Sequence, residues 1–171
     1  MAQQVFAYIL HKDGAADDTA LELTAAARKL DPNAEPVALV LGTGADLDKV
    51  ADEAAASYKE VWKIDNPAFA YPNAEVIRRA LVNLIPKGSI VLVPHEHFGM
   101  DLSPGLSIKL DAAYAPDVVD FQGMADNEVN LIREEFAGQV STHVTCDVSG
   151  GAVFTVRAGS FPPDESKSAV G

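Results

Sequence analysis

The feature that most constrains the fold is an alternation, repeated four times, between short apolar runs and segments of helical character. The runs are five or six residues long and predict strands at Val5–Leu10, Val37–Leu41, Glu60–Ile64 and Ser89–Val93. The segments between and after them carry helix caps or apolar residues spaced three, four or seven apart, which predicts helices over Asp17–Leu30, Asp46–Ala54, Pro72–Leu84 and Asp101–Leu110. Strands that alternate with helices lie parallel and are joined by right-handed crossovers. The pattern therefore predicts an α/β three-layer sandwich with a mostly parallel sheet.

Two prolines fall near the starts of predicted helices. Pro72 opens the third predicted helix, and Pro104 lies three residues after the predicted start of the fourth helix at Asp101. Proline is tolerated in a first helical turn, because the N–H groups there have no partner within the helix. We therefore expect both prolines in first turns.

The second half of the chain has strand patterns with no long helix between them. They predict one more core strand followed by an antiparallel extension, and they cover Pro116–Phe121, Asn130–Phe136, Val140–Asp147 and Ala152–Val156. The last eleven residues, 161–171, are rich in proline and charge and have no periodicity. We expect one domain over residues 1–160 and a linker-like tail over 161–171.

The chain carries far more acidic than basic residues. Its 171 residues include 13 Lys and Arg against 25 Asp and Glu, which gives a net charge of −12. Without a basic stripe to neutralise phosphates, nucleic acids and anionic membranes are excluded as expected partners. The lone Cys146 excludes an internal disulfide and a cysteine-rich metal site. The N-terminal residues have no basic segment and only a short apolar one, so we expect a cytoplasmic protein without membrane insertion.

Two short motifs lie where predicted strands end. Gly42-Thr43-Gly44 is similar to a dinucleotide-binding fingerprint, but the third glycine of that fingerprint is Leu47 here, so we interpret the motif as a plain turn. His95 and His97 flank Glu96 and would share a face if the strand continued, which could hold a metal. Because the sequence supplies no third or fourth ligand, we prefer polar residues at the carboxyl edge of the sheet and expect no metal.

Catalytic constellations are equally weak in the second half of the chain. His143 and Cys146 are three residues apart, which on a strand puts them on opposite faces and disfavours a Cys–His nucleophile. Residues 111–135 contain seven carboxylates against Arg133 alone, and we prefer a solvated surface to a paired-carboxylate site. From the residues alone, the chain is a soluble acidic α/β domain with no assigned catalytic residue.

Three ordered stretches resemble the N-terminal domain of electron transfer flavoprotein α subunits. They are Pro94–Pro104, which ends in the family's Phe-Gly-x-x-Leu-x-Pro pattern; Phe136–Gln139, at the place of its Tyr-(Gly/Ala)-Gly-Asn; and Val153–Phe161, which matches its strand and Arg-x-x-x-Phe ending. Tyr71-Pro72 also matches bacterial members. The chain departs from the family at Phe136 and Gln139, which replace the tyrosine and the asparagine and so change the polar contacts available there.

The resemblance implies a scaffold rather than a catalyst. It implies the adenine nucleotide alpha hydrolase-like form of the α/β sandwich and a heterodimer with a β-type subunit. It also implies that the FAD-binding C-terminal domain is absent from these residues. The chain alone would then bind no cofactor, while the assembled complex would hold FAD, with AMP as a further candidate, and would pass electrons from a dehydrogenase to an acceptor. The implied positions for subunit contacts are Phe98, Gly99, Ala137, Gly138, Gln139 and Arg157.

Two other functions stay open at this point. One is a stand-alone module that binds an adenine nucleotide at the carboxyl edge of the sheet, beside Gly42-Thr43-Gly44, although the net charge of −12 repels phosphate at long range. The other is hydrolytic or lyase chemistry around His95, Glu96 and His97.

Overall fold

The computed structural model describes residues 3–163, and their elements follow the predicted alternation. The strands are β1 (Val5–Tyr8), β2 (His11–Lys12), β3 (Ala15–Ala16), β4 (Val37–Gly42), β5 (Glu60–Asp65), β6 (Ile90–Pro94), β7 (Ala113–Ala125), β8 (Glu128–Glu135), β9 (Val140–Asp147) and β10 (Ala152–Val156). The helices are α1 (Thr19–Leu30), α2 (Asp46–Ala55), α3 (Ala74–Leu84) and α4 (His97–Leu110), with a single 3₁₀ turn at Pro67–Phe69.

Eight strands form one sheet in the order β5-β4-β1-β6-β10-β7-β8-β9. The first six strands in that order run parallel, and β8 and β9 extend the sheet through antiparallel pairs. Strands β2 and β3 form a small separate ribbon, which the sequence pattern does not predict. The α/β fold class, with its mostly parallel sheet and antiparallel extension, is confirmed.

The helices cover both faces of the parallel part of the sheet. Helices α1 and α2 contribute to one buried cluster, and α3 and α4 contribute to the other. Successive residues of β1 alternate between them, since Ala7 lies in the first cluster and Phe6 and Tyr8 lie in the second. Burial on both faces explains why the central strands are continuous apolar runs in the sequence.

Both predictions about helical prolines are wrong. Helix α3 begins at Ala74 behind Asn73, whose side chain accepts hydrogen bonds from the backbone N–H groups of Glu75 and Val76, so Pro72 precedes the helix. Helix α4 begins at His97, four residues earlier than predicted, so Pro104 lies in its interior. Proline there removes one backbone hydrogen bond, and we infer that the complete burial of the neighbouring α4 leucines, Leu102 and Leu106, outweighs that loss.

The order of the last strands also differs from the prediction. Strand β10 does not follow one final core strand as part of an extension but pairs in parallel with β6 on one side and β7 on the other. The chain after α4 therefore supplies two core strands, β7 and β10, and the antiparallel β8–β9 hairpin lies between them in sequence.

The end of the described chain packs back onto the domain. Phe161 is buried, and its ring centroid lies 5.8 Å from that of Phe121. The rest of the predicted tail includes residues 164–171, which lie outside the described residues, so the boundary after residue 160 stays a prediction. Within residues 3–163, no helix has both the length and the apolar character needed to cross a membrane.

Candidate functional site

Arg157 lies just beyond the carboxyl end of β10 and joins three neighbouring strands. Its Nε and Nη2 donate to the two carboxylate oxygens of Asp117 on β7, at 2.8 and 2.6 Å. Its Nη1 donates to Oε2 of Glu134 on β8. The guanidinium thus makes a two-pronged contact with one carboxylate and a further bond to a second, which is the geometry that arginine supports best.

Backbone geometry at Asp117 brings this carboxylate to Arg157. Asp117 adopts a φ of 60°, a left-handed conformation that aspartate tolerates better than most residues, and the strand pairing shifts register beside it. Its backbone N–H donates to Oγ1 of the fully buried Thr155 at 3.0 Å. Nδ1 of His95 lies 2.8 Å from the same hydroxyl, and Nε2 of His95 lies 3.6 Å from Oδ1 of Asp117. We call His95, Asp117, Glu134, Thr155 and Arg157 the strand-end cluster.

The charges of this cluster are arranged for structure rather than for proton transfer. The hydrogen bonds from Arg157 hold the pKa of Asp117 below its ordinary value, so the carboxylate is ionised and already occupied at pH 7. Burial lowers the pKa of His95 below its usual value, and the opposing effect of Asp117 does not reverse this, so the imidazole is neutral at pH 7. We infer that the cluster ties β10 to β7 and β8 and makes this edge of the sheet rigid.

The turn of the β8–β9 hairpin projects from the strand-end cluster. Phe136, Ala137 and Gly138 all have positive φ, and the backbone N–H of Gln139 donates to the carbonyl of Phe136 at 3.3 Å. The side chain of Phe136 is 74% exposed, and Val140 beyond the turn is 45% exposed. We call residues 136–140 the hairpin tip.

Gly138 connects the hairpin tip to the cluster. A Cβ added at Gly138 would lie 2.9 Å from Oε2 of Glu134 and 3.9 Å from Nη1 of Arg157, so a side chain there would crowd the ion pair. Four of the six residues expected at subunit contacts therefore lie in the hairpin tip or in the strand-end cluster, namely Ala137, Gly138, Gln139 and Arg157. Their contact with a subunit stays a prediction.

The other two expected contact residues lie in a different setting. The ring of Phe98 stacks on that of Tyr8, with centroids 5.5 Å apart, at the start of α4. Gly99 is buried, and a Cβ added to it would overlap the carbonyl oxygen of Pro94. This close approach gives Gly99 a packing role, while a subunit contact at either residue stays a prediction.

The remaining motifs hold no assembled site. The backbone N–H of Gly44, which a phosphate-binding turn would offer to its ligand, donates to Oδ1 of Asp65 at 3.3 Å. Strand β6 ends at Pro94 and His97 is exposed at the start of α4, so His95 and His97 do not share a strand face. Among residues 3–163, no three His, Cys, Asp or Glu side chains are grouped so as to hold a metal.

The structure also shows how the residues of the other two candidate catalytic motifs are placed. His143 is exposed and Cys146 is part-buried, on opposite faces of β9 as predicted. Two carboxylates of residues 111–135 are paired separately, since Asp120 lies near Lys29 and Glu135 lies near Arg133. Two others, Asp117 and Glu134, share Arg157. The prediction of a solvated surface over this whole segment is therefore wrong for Asp117 and Glu134, which are ion-paired with Arg157.

Comparisons with known proteins agree with the resemblance read from the motifs. A family model described as the electron transfer flavoprotein domain matches residues 5–170. The electron transfer flavoprotein subunit alpha, mitochondrial, of Arabidopsis thaliana is 27% identical over 157 residues, which cover 89% of this chain and 42% of that protein. The chain thus spans less than half the length of this relative.

Proposed function

Because the chain belongs to the electron transfer flavoprotein domain family, whose members are electron carriers rather than enzymes, we propose that it serves as an α-type scaffold domain. In this role it pairs with a β-type subunit, and the pair forms the base for a FAD domain. That domain shuttles electrons from dehydrogenases to an acceptor. The proposed location of the chain is the cytoplasm, whose reducing conditions suit a lone cysteine, although the Arabidopsis relative is named as mitochondrial.

The observation that carries the pairing is the exposed hairpin tip. Of the seven phenylalanines, Phe136 alone is exposed, and the nearby Val140 is exposed as well. A projecting aromatic side chain on a rigid support is typical of the residues that dominate protein–protein binding. The strand-end cluster supplies the support through the bond between Arg157 and Glu134. These contacts support a β-type subunit seated on the tip.

The turn at Gly42-Thr43-Gly44 does not fit the phosphate of FAD or AMP. The turn most similar to a nucleotide-binding loop has its Gly44 amide bonded to the Asp65 carboxylate, which also repels a phosphate. We therefore assign the flavin, and any AMP, to other parts of the assembly and assign no redox step to residues of this chain.

Replacing Phe136 with aspartate tests the pairing. Aspartate tolerates the left-handed backbone of this position better than phenylalanine does, so we expect the fold to persist. Loss of the aromatic contact and burial of a charge should weaken binding to the β-type subunit of the same organism at least ~30-fold, as for a hot-spot residue. Isothermal titration calorimetry measures the change, and circular dichroism checks the fold.

Tyr71→Asp is the matched control, because Tyr71 is 76% exposed and the substitution introduces the same charge. We expect this variant to bind the β-type subunit as tightly as the unmodified chain. A chain that fails to bind the β-type subunit at all would contradict the proposed function. Equal affinities for the Phe136→Asp and Tyr71→Asp variants would contradict the role of the hairpin tip alone.

A further inference from the structure

We propose that the groove between α3 and α4 binds an acidic segment of a partner protein. The groove has a volume of about 430 Å³ and lies on the outer surface of the helical layer. Its lining is Glu75, Arg78, Arg79, Val82, Asn83 and Lys109. We call this surface the basic groove; it contains none of the residues of the hairpin tip, and the inference does not depend on pairing with a β-type subunit.

Among the residues that the structure describes, the three cations of the basic groove have no carboxylate partner. Within residues 3–163, no carboxylate oxygen lies within 4.0 Å of the charged nitrogens of Arg78, Arg79 or Lys109. Most other cations of this acidic chain are neutralised, and they include Lys29, Lys49, Lys59, Lys63, Arg133 and Arg157. With Glu75, the groove has a formal charge of about +2 on a chain whose net charge is −12. This is a local reversal of sign.

Gly105 in α4 leaves room for the side chain of Arg78. A Cβ added at Gly105 would lie 2.5 Å from Nη1 of Arg78, so the guanidinium reaches across the α4 backbone only because that position has no side chain. Lys109 lies one helical turn further along α4 on the same side. The guanidinium is therefore positioned by packing and not by an ion pair, which leaves its donors available to a ligand.

Apolar side chains beside the groove favour a protein as the occupant. Ile108, which precedes Lys109, is 78% exposed, and Leu84, which follows Asn83, is 38% exposed. Arginine combined with exposed aliphatic side chains is typical of protein interfaces, whereas a phosphate would gain nothing from the aliphatic residues. A nucleic acid or another long polyanion would meet the repulsion of the whole chain. An acidic segment that also carries leucines matches both the charge and the apolar rim.

A fluorescein-labelled amphipathic peptide of glutamate and leucine is the probe, and fluorescence anisotropy is the measurement. We expect saturable binding that the combined variant Arg78→Gln, Arg79→Gln, Lys109→Gln weakens about tenfold or more. The combined variant Lys12→Gln, Lys49→Gln, Lys87→Gln removes the same charge from exposed sites elsewhere and should bind within about twofold of the unmodified chain. Gly105→Ala, which displaces Arg78, should weaken binding by a smaller factor.

Further arms of the experiment separate the proposal from its rivals. We expect Phe136→Asp to leave peptide binding unchanged, so a failure of β-subunit pairing is distinguishable from a failure of this inference. Equal losses in the two combined variants would overturn the proposal in favour of a general charge effect. Inorganic phosphate will also be added at a concentration equal to the dissociation constant of the peptide. Complete displacement of the peptide under that condition would overturn the proposal in favour of a small-anion site. Tighter binding of heparin than of the peptide would also overturn it.

Discussion

Replacing Arg157 with alanine should lower the free energy of unfolding at pH 7 by about 2–3 kcal/mol. The substitution leaves the carboxylates of Asp117 and Glu134 facing one another, with side chains only 15% and 28% exposed and no shared cation. Removing one partner of a fully buried ion pair costs about 3–5 kcal/mol, and the smaller expected value reflects the 34% exposure of the Arg157 side chain. Urea unfolding followed by circular dichroism measures the difference.

The same difference should depend on pH in a defined direction. The pKa of Asp117 is lowered in the folded protein, mainly by the hydrogen bonds from Arg157. A carboxylate with a lowered pKa stabilises the fold fully above its ordinary pKa of about 3.9, and loses that contribution as the pH falls through the folded value. We therefore expect unmodified and Arg157→Ala proteins to converge in stability below about pH 4.

Two variants serve as controls for Arg157→Ala. Arg157→Lys keeps a positive charge but cannot make the two-pronged contact, so it should fall between the unmodified and alanine proteins. Lys29→Ala removes an exposed ion pair with Asp120, in which the N–O distance is 3.8 Å, and should change stability by less than about 1 kcal/mol. A loss for Arg157→Ala as small as that for Lys29→Ala, or one independent of pH, would contradict a structural role for the cluster.

Strands β1, β4 and β6 of the parallel sheet could be predicted because they are buried on both faces and are therefore continuous apolar runs. The predicted strand Ser89–Val93 differs by one residue from β6, Ile90–Pro94. Helix starts were harder to place. Glu96, the N-cap of α4, makes no side-chain capping bond, so the usual capping signal is missing there. At α3 the signal is present in Asn73, and the neighbouring Pro72 obscured it.

Strand β7 could not be delimited from sequence because its periodicity is distorted. Its buried residues, Ala115, Val118 and Phe121, are spaced three apart instead of two. The pairing of β7 shifts register against β10 between Ala115 and Val118, and against β8 between Val118 and Asp120, which rotates the side chains and accounts for this spacing. The position of β10 in the centre of the sheet could not be predicted either, because the sequence of an apolar five-residue strand does not indicate which strands it pairs with.

The candidate site could be predicted only in part, for a related reason. The resemblance identified Arg157, but its partners Asp117 and Glu134 are 40 and 23 residues away in sequence. Only the order β10-β7-β8 brings the three side chains together. One local signal was available, since the predicted strand Pro116–Phe121 carries two carboxylates, Asp117 and Asp120, and a carboxylate that is buried in a strand requires a partner. That signal indicates the need for a cation without saying which one supplies it.

Replacing Gly99 with alanine should lower the free energy of unfolding by about 3 kcal/mol, toward the upper end of the range for overpacked sites. The added Cβ would overlap the backbone carbonyl oxygen of Pro94, which cannot turn aside as a flexible side chain can. The first turn of α4 would have to move away from the end of β6. We expect the melting temperature, measured by calorimetry, to fall by about 6–12 °C for a domain of this size.

Gly105→Ala is the control for Gly99→Ala, because it makes the same substitution in the same helix. The Cβ added at Gly105 meets the flexible end of the Arg78 side chain, and alanine favours a helix over glycine by about 1 kcal/mol, so stability should change by no more than about that amount. Equal stabilities for the two variants would contradict a packing role for Gly99. If Gly99→Ala kept its stability but lost affinity for a β-type subunit, Gly99 would be a contact residue, as the family resemblance implies. A large loss of stability at Gly99 alone would instead mean that this glycine is required by the close approach of α4 to β6.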